Sequence, residues 1–154
     1  MLLSRKTRGE ICGFFVLVYN ESMVGSRDNL EDRLDAIFSL YVRLRYADHA
    51  GYVACYTCTR RFMWSEVDCG HWKPRANHGT RWEDDNCAAQ CSECNRVFGG
   101  RPETFEENLR DDLGDARVAR LETLASDSVH FSDEELKEKL IHYTRLVAEM
   151  GKVV

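Results

Sequence analysis

Two C-x-x-C pairs, Cys55/Cys58 and Cys91/Cys94, constrain the fold of this chain more than any other feature. Two residues between thiols let both sulfurs of a knuckle reach one tetrahedral ion, and four thiolates close its coordination shell. A closed shell leaves no position for a substrate, so the spacing predicts a structural zinc ion rather than a catalytic one. Thirty-two residues separate Cys58 from Cys91, so a folded segment must lie inside the loop that the ion clamps. The chain has seven cysteines. An odd count without a secretory signal points to a reducing compartment, not a disulfide scaffold. Cys12, Cys69 and Cys87 have no C-x-x-C partner, and Cys69 and Cys87 are expected as buried apolar residues, the usual fate of a free thiol.

With 154 residues, the chain is about one domain long and can bury one real core. Its longest apolar run, GFFVLVY from Gly13 to Tyr19, falls well short of a membrane span and is read as a buried strand or part of a helix. The net charge of −5 has the wrong sign for a nucleic-acid protein, but its distribution changes the reading. Residues 43–101 carry nine Lys/Arg against seven Asp/Glu, whereas residues 102–154 carry seven against thirteen. The middle third is thus the part most tolerant of phosphate, and the acidic tail reads as solvated helix faces.

Leu30, Leu34, Ile37, Tyr41 and Leu44 recur at helical spacing. They predict a helix over 28–48, capped by Asp28 or Asn29 and ending near Asp48 to Gly51. From Tyr52 to Trp72 aromatic and β-branched residues replace that period, which predicts short strands and a hairpin. Lys73 to Asp85 is expected as a loop, and Ala88 to Val97 as a short helix stopped by Gly99 and Gly100. Three helices then follow within 102–150. The first carries Phe105, Leu109 and Leu113, and the second is capped by Asp115. The third opens on the capping box Ser132–Glu135. The expected architecture is α+β, with residues 1–27 a segment of unknown role. Residues 28–154 form a single domain whose Cys-rich core (52–100) is flanked by helices.

The segment inside the clamp holds DCGHWKPR (Asp68–Arg75), His78 and Asn86, and Asn95 follows the second knuckle directly. A D-x-G-H strand, a central Asn and C-x-x-C-N at the start of a helix resemble the HNH nuclease module, a ββα fold around a single catalytic metal. More closely, LDAIFSLYVRLR, CYTC, DCGHWKPR, HGTRWEDDNCAAQCSECN and the Gly pair that follows resemble the phage NinG (Rap) recombination proteins over roughly residues 30–150. The resemblance implies a metal-dependent endonuclease acting on branched recombination intermediates such as Holliday junctions, in the cytoplasm of a bacterial host. Its products would carry a 5′-phosphate and a 3′-hydroxyl.

Phosphodiester hydrolysis needs an activated water, a stabilised leaving oxygen and neutralised phosphate charge. His71 is expected as the general base, since a neutral imidazole near pH 7 suits that task. Asp68 and Asn95 are expected as oxygen ligands of a hard divalent ion, Mg²⁺ or Mn²⁺. Asn86 is expected to bridge backbone groups and hold the His-bearing strand against the helix. Many HNH motifs place an acid or His directly before the base. Here that position is Gly70, and Asp68 is expected to stand in from three residues away, with Gly70 a site for a bulge. Arg75 and Arg81 are candidate phosphate contacts, and His78 is a reserve base or ligand. Trp72 and Trp82 are read as core residues before base-stacking ones. The competing readings are a non-catalytic zinc module that binds nucleic acid, and an HNH enzyme that nicks or cuts ordinary duplex. Symmetric cutting of a four-way junction predicts a homodimer, with the Leu30–Leu44 stripe or the last helix at its contact.

Overall fold

The computed structural model describes residues 27–153, with side chains described over 29–151. The Gly13–Tyr19 element, Cys12 and the role of the first 26 residues lie outside the described residues. Helix α1 spans Arg27–Leu44. It therefore already includes Asp28 and Asn29, and it stops before Asp48 because that carboxylate accepts the amides of Ala50 and Tyr52 and closes a turn. Strands β1 (Tyr52–Ala54) and β2 (Arg61–Met63) form an antiparallel hairpin around the first knuckle. Strand β3 (Val67–His71) then pairs antiparallel with β4 (Cys87–Cys91), Val67 facing Cys91 and His71 facing Cys87.

Strand β4 occupies the start of the expected 88–97 helix. Alanine and glutamine favour helix locally, but every residue of β4 is buried, and its backbone is used in pairing with β3. Tertiary pairing outweighs that weak propensity. Only Glu93–Val97 is helical, as a single π-type turn, and the chain leaves it through Gly99 and Gly100, both at positive φ. The expected loop 73–85 is also more ordered than its composition indicates: it carries the one-turn helix α2 (His78–Arg81) and a 3-10 turn at Asp84–Asn86.

Helix α3 spans Pro102–Leu113 and ends at Gly114, whose φ of 80° suits glycine. Helix α4 spans Asp115–Ser126, with Asp115 as its first residue rather than its cap. Helix α5 spans Asp133–Val153, preceded by the capping box. The Ser132 amide donates to Glu135 Oε2 at 2.7 Å, and the Glu135 amide to Ser132 Oγ at 3.2 Å.

The main core joins α1 to α5: Leu30, Leu34, Ile37 and Tyr41 pack with Leu136, Leu140 and Tyr143. Both stripes expected at a dimer contact are thus buried against each other within one chain. Trp82 belongs to this core and Trp72 to a second one with Phe105, Leu109, Val118 and Leu121. Asp84 ties the layers together by accepting hydrogen bonds from the hydroxyls of Tyr41 and Tyr143, each at 3.0 Å. The architecture is α+β. No helix among the described residues is long and apolar enough to cross a membrane.

Candidate active site and metal centre

The hairpin turn after β1 brings Cys55 and Cys58 to the end of β4, where Cys91 and Cys94 lie. The four sulfurs are all within 4.8 Å of one another. Cys58 Sγ and Cys91 Sγ are 3.9 Å apart. A tetrahedral ion with Zn–S near 2.3 Å sets its sulfurs about 3.8 Å apart, so the four thiols fit a structural zinc ion. Cys55, Cys91 and Cys94 are buried. Burial raises the Cys55 thiol, but the backbone amides of Cys91, Thr57 and Cys58 outweigh it and bring that thiol down to about 6. Burial pushes Cys94 up to about 12. Cys55 therefore gives up its proton readily, and loading the ion would release the proton of Cys94. Arg60 Nε lies 3.4 Å from Cys58 Sγ, placing a cation against the sulfur charge.

A cleft of about 230 Å³ gathers His71 and Asp68 from β3, Asn95 and Arg96 from the turn after β4, Arg75 from the loop, and Asp35 and Phe38 from α1. Four of the site residues singled out in the sequence, Asp68, His71, Asn95 and Arg75, thus share one cavity. Asn95 Nδ2 donates to Asp68 Oδ2 at 3.2 Å. Arg96 grips the same carboxylate with two bonds, Nε at 2.9 Å and Nη2 at 2.7 Å. That grip, then the Asn95 bond, holds Asp68 below the ordinary carboxylate range against the opposing effect of burial.

His71 Nε2 lies 3.1 Å from the carbonyl oxygen of Arg81. A carbonyl only accepts, so Nε2 carries the proton and Nδ1 of the neutral ring keeps its lone pair. Burial lowers the His71 pKa, against the Arg81 and Cys69 backbone acceptors that favour the charged ring. The imidazole is therefore neutral at pH 7.

Asn86 is completely buried. Its Oδ1 accepts from the Lys73 amide at 2.8 Å, and its Nδ2 donates to the carbonyls of Lys73 (3.1 Å) and Thr80 (3.0 Å). It joins the two ends of the 73–80 loop to each other rather than β3 to a helix. Gly70 forms no bulge. It sits in regular register opposite Ala88, and a Cβ there would lie 2.1 Å from Gln90 Oε1. The position needs glycine because a buried glutamine crosses over it.

Arg81 does not present its guanidinium to solvent. Its side chain is 11% exposed and bound to Asp35 and Glu31; its Nε reaches Asp35 Oδ1 at 3.0 Å. The expected phosphate contact is instead an anchor that fixes the carbonyl holding His71. Arg75 is 58% exposed, with one bond to Asp35. His78 does not line the cleft and sits beside Arg81 and the edge of Trp82. Cys87 is buried as expected, while Cys69 is only half-buried and reaches the cleft. Sequence reasoning missed Arg96 and Asp35. Arg96 was visible only as the neighbour of Asn95. Asp35 lies beside a helical stripe, and nothing local links it to Arg81.

The family model described as Bacteriophage Lambda NinG protein matches residues 19–152. The chain belongs to the NinG family. No curated protein and no solved structure matches it. The family match covers both the four-cysteine cluster and the whole cleft.

Proposed function

We propose that this member of the NinG family is a metal-dependent HNH endonuclease that hydrolyses phosphodiester bonds in branched DNA, Holliday junction-like intermediates above all, in the cytoplasm of a phage-infected bacterium. The observation that carries the reading is the convergence of His71, Asp68 and Asn95 on one cleft. A zinc module that only binds nucleic acid has no use for that trio. In this reading β3, β4 and the Glu93–Val97 turn form the ββα-metal element, braced by the four-cysteine zinc.

Asp68 and the Asn95 side-chain oxygen would hold Mg²⁺ or Mn²⁺, and two protein oxygens suit an ion that keeps waters and takes phosphate oxygens as further ligands. Such an ion supplies charge neutralisation at the phosphate and the leaving oxygen. His71 Nδ1 takes the proton of the attacking water, while the Arg81 carbonyl keeps the ring oriented. Arg96 is 70% exposed, so its guanidinium can leave Asp68 for a phosphate oxygen, and Arg75 offers a second guanidinium. Two symmetric cuts on a four-way junction call for a homodimer. Its contact would lie away from the α1 and α5 stripes, and light scattering on the DNA complex reads it directly.

The test uses the zinc-loaded protein with Mg²⁺ or Mn²⁺ and three labelled DNAs: a four-way junction, a flap and a linear duplex. Junction cleavage that is lost in Asp68→Ala with unchanged zinc content supports the proposal. Equal cleavage of linear duplex removes the branched-DNA preference and leaves the nuclease. Tight binding of the junction without any cleavage replaces the enzyme with the binding module.

A further inference from the structure

A second group of soft ligands lies beside the proposed general base. Cys69, His71 and Cys87 place their donor atoms within 4.8 Å of one another. The strand pairing produces the group. Cys69 and His71 are two apart on β3 and share a face, and Cys87 stands opposite His71 on β4. This group is separate from the zinc cluster, which uses Cys91 at the other end of β4.

We infer that Cys69, His71 and Cys87 form a three-ligand site for a soft divalent ion such as Zn²⁺, and that filling it switches off the nuclease. The inference rests on the assignment of His71 as base. Two thiolates and one imidazole are a donor set that zinc accepts with a fourth position open. Zn–S near 2.3 Å and Zn–N near 2.0 Å set such donors about 3.5–3.8 Å apart, so a small inward turn of the side chains closes the tripod. The Arg81 carbonyl already orients the ring through Nε2, the arrangement expected behind a metal-bound histidine. Cys69 and His71 both line the cleft, which gives the ion a way in and leaves the fourth position facing the cleft. Binding releases the two thiol protons to solvent and takes up the Nδ1 lone pair that would otherwise accept the proton from water. A hard ion at Asp68 and Asn95 and a soft ion at this tripod would then have opposite effects. The first supports hydrolysis and the second stops it.

The test titrates Zn²⁺ into full-length protein already carrying one zinc per chain, with a chromophoric chelator as competitor, and repeats the titration with Co²⁺ to detect thiolate-to-metal charge transfer. Wild type should take up a second equivalent with new thiolate absorption. Cys69→Ala, which leaves the buried Cys87 and the four-cysteine cluster in place, should stop at one. Zinc in excess of the first equivalent should inhibit Mg²⁺-supported junction cleavage at least tenfold in wild type. In Cys69→Ala, normalised to its own uninhibited rate, the midpoint should move to at least tenfold higher zinc. A wild type that saturates at one equivalent, or a Cys69→Ala that still binds two, overturns the site. A second equivalent bound without inhibition overturns the switch. A second equivalent bound by a protein that cuts no DNA keeps the site and removes the nuclease reading instead.

Discussion

Asn86 offers the sharpest test of how the loop behind the base is held. Its side chain is fully buried and makes three hydrogen bonds. Asn86→Ala strands the Lys73 amide and carbonyl, while the Thr80 carbonyl keeps the Glu83 amide at 3.3 Å. Buried groups left unpaired cost about 1–3 kcal/mol each, so the loss of two should be about 2–6 kcal/mol. Asn86→Asp has nearly the same shape and keeps the acceptor for the Lys73 amide, but its second oxygen faces two carbonyls. The ionised acid has nothing to donate there, whereas the protonated acid can donate to one of them. Its folded pKa must therefore rise above the ordinary value of about 3.9. The unfolded chain then loses this proton at lower pH than the folded one, so the deficit against wild type grows as pH rises through the shifted pKa and then levels off. A penalty of about 3 kcal/mol corresponds to a shift of roughly two pH units, so the deficit at about pH 5 should be about half that at about pH 8. Urea unfolding of wild type and both variants at the two pH values, with zinc content measured, reads this directly. An Asn86→Asp protein within about 0.5 kcal/mol of wild type at the higher pH, or with the same deficit at both, refutes the reasoning.

Three further outcomes follow from the geometry. Asp35→Ala removes the partner of Arg81, Arg75 and the Trp82 indole N–H and leaves a mostly buried guanidinium with Glu31 alone. It should cost about 3 kcal/mol in urea melts and slow cleavage because the Arg81 carbonyl loses its anchor; wild-type stability and rate would count against that anchor. The pH–rate profile should bend at a pKa below the ordinary imidazole value of 6.5, flat above it and falling tenfold per unit below it; a bend at or above about pH 7 would remove His71 as the titrating base. The same depressed pKa makes the His71 contribution to stability complete above the unfolded value and progressively lost as pH falls through it. Gly70→Ala drives a Cβ into Gln90, which is fully buried and bonded to Thr57 Oγ1 and the Gly100 carbonyl. It should cost about 1–3 kcal/mol in thermal or urea unfolding, and a neutral result would mean that Gln90 has another place to go.

What the sequence revealed depended on how local the physics was. The two knuckles are written in four letters each, and the structure brings their sulfurs together. The stripes of α1 and α5 and the Ser132–Glu135 box are also short-range patterns, and they became the helices and cap expected of them. Strand β4 was misread because its identity depends on β3, some twenty residues upstream, and not on the Ala-Ala-Gln it contains. Asp68, His71 and Asn95 were legible as residue types in a familiar order, but their common cleft depends on α1, which supplies Asp35 and Phe38. Arg81 shows the limit most clearly. As a letter it is a surface cation three residues from His78; only the distant Asp35 and Glu31 turn it into an internal anchor.

The most direct test of the central claim is single-turnover cleavage of a four-way junction by wild type and His71→Ala, both with zinc content verified, with and without free imidazole in the buffer. Loss of a positioned general base should slow the variant by about 10²–10⁴-fold, and imidazole should restore part of the rate through the space the ring leaves. A His71→Ala protein that cuts within about threefold of wild type would contradict the assignment of the base.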